Sequence, residues 1–182
     1  MSDSLYRRLQ QQLNQYSMGF PESASGIEIE ILRGLFSETD AALFTRMTPI
    51  LETPDAVAQR LRRPVDDVSR ELDDMAERGL LFRIKKADHR KYAAIPFVHG
   101  IFEFQVGDMS RDLAEQVRAY FDEVFHQAMR LTGALFLRTI PVNRSIDADL
   151  RVAAYDDAVD ILKGIDKIVV TDCVCRVLAG RM

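Results

Sequence analysis

The sequence predicts an α+β protein: a winged helix-turn-helix followed by a long helix and a small β-α-β tail. Three observations carry this. Between Ile27 and Gly79, apolar residues recur at helical spacing and are broken by cap signals. The pattern then switches to two short apolar runs on either side of the basic stretch Lys85–Arg90. Near the end, a helical pattern at Tyr155–Lys163 lies between two strand-like runs.

In chain order, Ser4–Tyr16 reads as a short Gln-rich helix with one narrow stripe, Leu5, Leu9 and Leu13. Such an arm is expected to pack on a neighbour or a partner subunit. Phe20–Gly26 reads as a loop. Ile27, Ile31, Leu32 and Leu35 mark the next helix. Ser37 is placed to cap the one after it, whose inner face is Leu43, Phe44 and Met47. Thr53-Pro54 starts another helix, with Thr as cap and Pro at the first helical position; it would bury Val57, Ala58 and Leu61. After Arg63-Pro64, the residues Val65, Val68, Leu72 and Met75 make a clean amphipathic stripe, and Gly79 stands where a left-handed C-terminal residue is needed. Leu80–Ile84 and Lys91–Ile95 then read as paired strands, with Lys85–Arg90 as a polar, basic tip. Phe97–Gln105 predicts a short helix or turn. Ser110–Thr132 is the longest helix, with Leu113, Val117, Tyr120, Phe121, Val124, Phe125, Ala128 and Leu131 on one broad apolar face and Gly133 closing it. That face suits either a dimer interface or the core of the same subunit. The tail reads as a strand at Leu135–Val142, a helix at Tyr155–Lys163 and a strand at Lys167–Asp172 that leads into Cys173 and Cys175. The expected divisions are an N-terminal arm and loop (1–25), a winged-helix domain (26–106), a linking or dimer helix (107–134) and the tail (135–182).

Composition narrows the function classes. The 182 residues are 47% hydrophobic, enough to bury a sizeable core, and the net charge of −4 argues against coating nucleic acid through bulk charge. The longest apolar runs fall far short of a membrane span, and Met1–Tyr16 has no apolar signal core, so a cytoplasmic protein with no membrane partner is expected. With two cysteines, both in the last ten residues, a disulfide-stapled scaffold is excluded. His89, His99 and His126 are scattered without metal spacing, and no phosphate-cradling glycine loop, nucleophile elbow or zinc-protease helix occurs. No enzyme is expected.

The run from Val65 through Gly79-Leu80 to Arg83 resembles the recognition helix and first wing strand of MarR-type winged-helix proteins, and Asp88-His89-Arg90 is similar to the Asp-x-Arg of that family's wing. The resemblance covers about residues 27–96 and implies a dimer built through the long helix, with double-stranded DNA as partner. Charge is placed to suit. Pro54–Pro96 holds ten basic and eight acidic residues, net +2, although the whole chain is acidic. The candidate DNA contacts are Arg60, Arg62 and Arg63 before the recognition helix, Ser69 and Arg70 on it, and Lys85, Lys86, Arg90 and Lys91 in the wing. Asp66, Asp67, Asp73 and Asp74 on the same helix repel phosphate, so an interaction or dimer module is the competing expectation.

On a strand, Cys173 and Cys175 would point to one side and present two thiolates together, while a bridge between them would be strained. They are candidate metal ligands, with two half-buried thiols at a strand end as the alternative. The run Tyr155–Arg176, with its Cys-x-Cys-Arg, and the strand Arg138–Val142 resemble ferredoxin-type 4Fe-4S iron–sulfur proteins of bacteria and archaea, in which a winged-helix half leads into the cluster-binding part. The resemblance implies a redox or regulatory role, a redox partner protein and a 4Fe-4S cluster in a longer parent protein, because such a cluster takes four thiolates and this chain holds two. The alternative is a MarR-like dimeric DNA-binding regulator with the cysteines as a thiol sensor.

Overall fold

The computed structural model describes residues 2–86, 89–127 and 155–180. They fall in two compact units, Met1–Ala134 with Asp172–Met182, and Leu135–Thr171. The class is α+β: helices with one small antiparallel sheet. Among the described residues no helix is long and apolar enough to cross a membrane.

In the larger unit, helix α1 (Ser2–Leu13) packs on α2 (Ile27–Leu35) and α3 (Glu38–Phe44) of its own chain. Of the two expected surfaces for this arm, a neighbour or a partner subunit, it packs on neighbouring helices, and Tyr6, Leu9 and Leu13 are core residues. Tyr6 widens the leucine stripe and donates its hydroxyl to the Phe36 carbonyl at 2.8 Å. Gln10 is buried beside them and donates to the Phe20 carbonyl at 2.6 Å. Glu28 on α2 is fully buried and accepts from the Arg7 guanidinium at 2.9 Å and from the backbone N–H and hydroxyl of Ser23.

Helix α3 opens on a full capping box, with the Ser37 hydroxyl and the Asp40 carboxylate each satisfying the other's backbone N–H. Helix α4 (Pro54–Leu61) is capped by Thr53 and carries Pro at its first turn. It ends in a Schellman motif: Arg62 is left-handed at φ 55°, its N–H bonds to the Gln59 carbonyl, and that of Arg63 reaches the Ala58 carbonyl. Pro64 then starts α5 (Val65–Glu77), which buries Val68, Leu72 and Met75. Its end repeats the same motif, with the Gly79 N–H on Ala76, that of Leu80 on Met75, and Gly79 at φ 72°. A Cβ at Gly79 would sit 2.6 Å from Phe104 Cβ and 3.2 Å from the Phe104 carbonyl. Gly79→Ala is expected to cost about 2 kcal/mol, from the left-handed backbone and the clash together, measured as a lower urea midpoint.

Strands β1 (Phe82–Lys86) and β2 (His89–Ala93) pair antiparallel, with Arg83 opposite Tyr92 and Lys85 opposite Arg90. The predicted hairpin was Leu80–Ile84 with Lys91–Ile95, so the strands shift by two residues toward the tip. Leu80 and Leu81 are instead buried in the helix-ending turn. Lys85, Lys86, His89 and Arg90, expected in the tip, lie in strands. Ala87 and Asp88 lie outside the described residues. Glu52 adds an antiparallel bridge to Tyr92 on the other side of β2.

A kinked turn at Phe97–Ile101, where Val98, His99 and Gly100 leave helical dihedrals, leads into a short helix, α6 (Phe102–Phe104). Helix α7 (Arg111–Tyr120), capped by Ser110, continues through a wider turn at Phe121–Phe125, where the His126 N–H bonds five residues back to Phe121. Its apolar face goes into the core of the same chain: Val117 and Tyr120 are fully buried against α2 and an aromatic cluster of Phe20, Phe97, Phe102, Phe121 and Phe125. Residues 128–132 of the predicted long helix lie outside the described residues.

In the smaller unit, the predicted helix is present as α8 (Tyr155–Lys163). The strand expected at Leu135–Val142 lies outside the described residues. The one expected at Lys167–Asp172 is not formed: the segment has no regular secondary structure and is exposed, and no strand among the described residues pairs with it. A strand needs a ladder partner, and β-branched residues alone do not supply one. In the larger unit, Val174–Gly180 forms a seven-residue helix, α9, anchored on the core by buried Leu178 and half-buried Val174 and Val177.

Candidate nucleic-acid interface and thiol pair

The side chains of β1 and β2 alternate across the hairpin, so Arg83, Tyr92 and Arg90 share one face. That face meets α5, and all three side chains converge on Asp73. The carboxylate accepts from Arg83 at 2.9 Å, from the Tyr92 hydroxyl at 2.7 Å, and from Arg90. Burial pushes the Asp73 carboxyl up, but the bonds from Tyr92 and Arg83 and the charges of Arg90 and Arg83 outweigh it and hold the group below the usual carboxylate range. Burial and then the bond to Asp73 push the Tyr92 hydroxyl up to about 12.

The signs of these two shifts are opposite. Asp73 is depressed, so its contribution is complete above the unfolded value of about 4 and is lost as pH falls through the folded one. Tyr92 is raised, so its contribution is complete below 10 and is lost as pH rises through about 12. Asp73→Asn is expected to lower stability at pH 7 and to shrink the loss seen between pH 5 and pH 3, read from urea melts across that range.

Most of the arginines expected to meet DNA are held by acids of the same chain. Arg60 forks onto the Glu52 carboxylate at 3.0 and 2.7 Å and also reaches the Arg46 carbonyl. Arg63 forks onto Glu71 at 2.8 and 2.6 Å. Arg70 pairs with Asp67 one turn back, and Arg90 with Asp73. Helix α5 carries six acidic residues and one arginine, a local charge of −5. Its free face would repel a phosphate backbone unless the flanking cations outweighed it.

The remaining cations stand apart. Arg62, Lys85, Lys86 and Lys91 are exposed and form no ion pair among the described residues. Alternation puts Lys85 on the Arg90 face of the hairpin and Lys86 and Lys91 on the other, beside exposed Phe82 and Ile84. Ser69 and Arg90 are brought together: with Thr53, Pro54, Asp55 and His89 they line a shallow cleft of about 280 Å³ at the start of α4. Sequence reasoning missed Asp73 as a hub, and with it Tyr92 and Glu52. Opposite charges were visible, but their pairing depends on the hairpin register.

The cysteines are placed by helix α9 and not by a strand. Cys173 is the residue before the helix; its carbonyl takes the N–H groups of Arg176 and Val177 at 3.0 and 2.9 Å. The backbone N–H groups of Arg176 and then of Cys175, with the Arg176 charge, hold the Cys173 thiol below the usual thiol range. Both cysteines are reduced and exposed. Val174, Val177 and Leu178 fix the inner face of α9, so the pair stands on an anchored base. Among the described residues no group of three or more His, Cys, Asp or Glu is placed to hold a metal ion.

Comparison of the chain with protein-family models, with curated proteins and with solved structures finds no match.

Proposed function

We propose that the chain is the winged-helix portion of a ferredoxin-related iron–sulfur protein with a redox or regulatory role in the cytoplasm. The observation that carries this is the pair of exposed thiols, Cys173 and Cys175, at the start of an anchored helix. A 4Fe-4S cluster takes four thiolates. The pair fits two of those positions, with backbone N–H groups and Arg176 beside Cys173 to offset the negative charge of a thiolate-bound cluster. The other two ligands belong to a longer parent protein. The cluster supplies one-electron transfer; this chain's part is to hold one side of it and to present a docking unit to a redox partner protein.

In this proposal α3, α4 and α5 with the hairpin form a winged helix-turn-helix of MarR type that serves as an interaction module. The internal pairing of Arg60, Arg63, Arg70 and Arg90 supports that use over base reading, because a guanidinium already forked onto a carboxylate must give up that bond to reach a base or phosphate. The test is anaerobic reconstitution with iron and sulfide in the presence of glutathione, whose thiol can complete a half ligand set. Retained iron and sulfide that depend on both cysteines are expected.

A second reading, a dimeric DNA-binding regulator with a thiol sensor, is favoured by the exposed cations Arg62, Lys85, Lys86 and Lys91, which form no ion pair among the described residues. Binding to duplex would then weaken linearly with log salt, and each lysine removed would lower the slope by about one. Absence of binding to random duplex at low salt excludes it.

A further inference from the structure

We propose that the groove between α1 and α3 docks an acidic segment of a partner protein, one that carries apolar residues between its carboxylates. This goes beyond the iron–sulfur reading and stands without it, since neither cysteine takes part.

The groove consists of two adjoining open depressions, of about 550 and 200 Å³, that share Ala42 and Arg46. One wall is α1, where Leu5, Arg8 and Gln11 recur at helical spacing; the other is α3 with the turn after it. Leu5, Leu43 and Leu61 supply apolar surface. No carboxylate lines either depression, in a chain of net charge −4.

The arginines decide the charge of the occupant. Of the five within residues 1–60, Arg7, Arg33 and Arg60 are each held by an acid of the same chain. The other two, Arg8 and Arg46, are exposed, their side chains form no ion pair or hydrogen bond among the described residues, and they stand on opposite walls of this groove. The backbone beneath them is fixed. The Gln12 amide donates to the Phe44 and Met47 carbonyls at 3.3 and 3.1 Å, which ties α1 to the end of α3. The Arg46 N–H donates to the Leu43 carbonyl at 2.9 Å, and the Arg46 carbonyl accepts from Arg60. Two free guanidinium forks thus flank an apolar floor, and each matches a carboxylate. Ala42 at the shared edge adds only a methyl group, so a chain can lie between them. A small anion or a phosphate backbone would leave the leucines uncovered; an acidic peptide with apolar side chains meets both features.

The experiment is fluorescence anisotropy of the full chain with a labelled short peptide alternating glutamate and leucine, with an all-glutamate peptide, a lysine–leucine peptide and a short DNA duplex as comparisons. The expected result is saturable binding of the glutamate–leucine peptide alone, weakening as salt is added. Arg8→Glu and Arg46→Glu should each weaken it about tenfold, whereas Lys86→Glu, an equal change of charge in the hairpin, should leave it unchanged. Ala42→Trp should block it without altering charge. All four variants change exposed residues, and circular dichroism checks their fold. Absence of binding, equal weakening by Lys86→Glu, equal affinity for the all-glutamate peptide, or survival of binding in Ala42→Trp would overturn the proposal. So would duplex binding, or a dimer of this chain, that Arg46→Glu abolishes, because each assigns the groove to another occupant. No iron or sulfide is present in these titrations, so their outcome is separate from that of cluster assembly.

Discussion

Replacing Arg7 with methionine is expected to remove about 3–5 kcal/mol of stability, the cost of leaving a buried carboxylate without its cation. Glu28 has no solvent exposure, and Arg7 is its cationic partner at 2.9 Å. Without Arg7 the carboxylate keeps only the Ser23 N–H and hydroxyl. Methionine preserves much of the aliphatic packing, so the loss reports the charge and not a cavity. The control is a double substitution. Glu28→Gln removes the buried charge, so the pair Arg7→Met with Glu28→Gln should be more stable than Arg7→Met alone. Urea denaturation of the four species closes this cycle. If Arg7→Met melts like wild type, the pair does not tie α1 to α2.

Tyr120→Ala carries a loss of similar size, about 3–5 kcal/mol for a large aromatic removed from a packed core. The ring is fully buried, 4.8 Å from the Phe20 ring and 6.3 Å from that of Phe125, and its hydroxyl donates to the Pro21 carbonyl at 3.0 Å. Burial, and then the charge of Glu28, push that hydroxyl well above the usual phenol range, so it stays a donor across working pH. Tyr120→Phe keeps the ring and loses one bond, for about 1 kcal/mol. Because α7 here packs into its own chain, the Tyr120→Ala loss should not depend on protein concentration in thermal melts. A loss that vanished at high concentration would place the residue in an interface between chains.

The parts of the fold that were legible are those written in short-range chemistry. Ser37, Thr53-Pro54 and Gly79 each mark a helix end, because a cap is a bond between residues two or three apart. The stripe Val65, Val68, Leu72 and Met75 located α5 from its period, although Val65 itself is exposed at the first turn. What was not legible depends on partners distant in sequence. Leu80-Leu81 looks like the start of a strand, but the motif closing α5 takes both residues into the core. The segment Lys167–Asp172 has strand composition and no described ladder partner. Leu9 and Leu13 look like a narrow stripe until Tyr6, three residues before Leu9 and so about one turn back, joins them against Phe36.

The candidate site divides in the same way. The basic residues of the hairpin and the Cys-x-Cys could be named from the sequence. That Arg83, Arg90 and Tyr92 meet at Asp73 could not, because it depends on how the hairpin packs on α5, residues 10 to 19 positions away in sequence. The cysteines, expected on a strand, stand instead at the start of a helix, Cys173 just before it and Cys175 in its first turn.

The most direct measurement of the central claim is the iron and acid-labile sulfide retained per chain after anaerobic reconstitution with glutathione and desalting. The expected result is a coloured product carrying both elements, which Cys173→Ser and Cys175→Ser each abolish. A colourless wild-type product, or equal iron and sulfide in the doubly substituted chain, would contradict it.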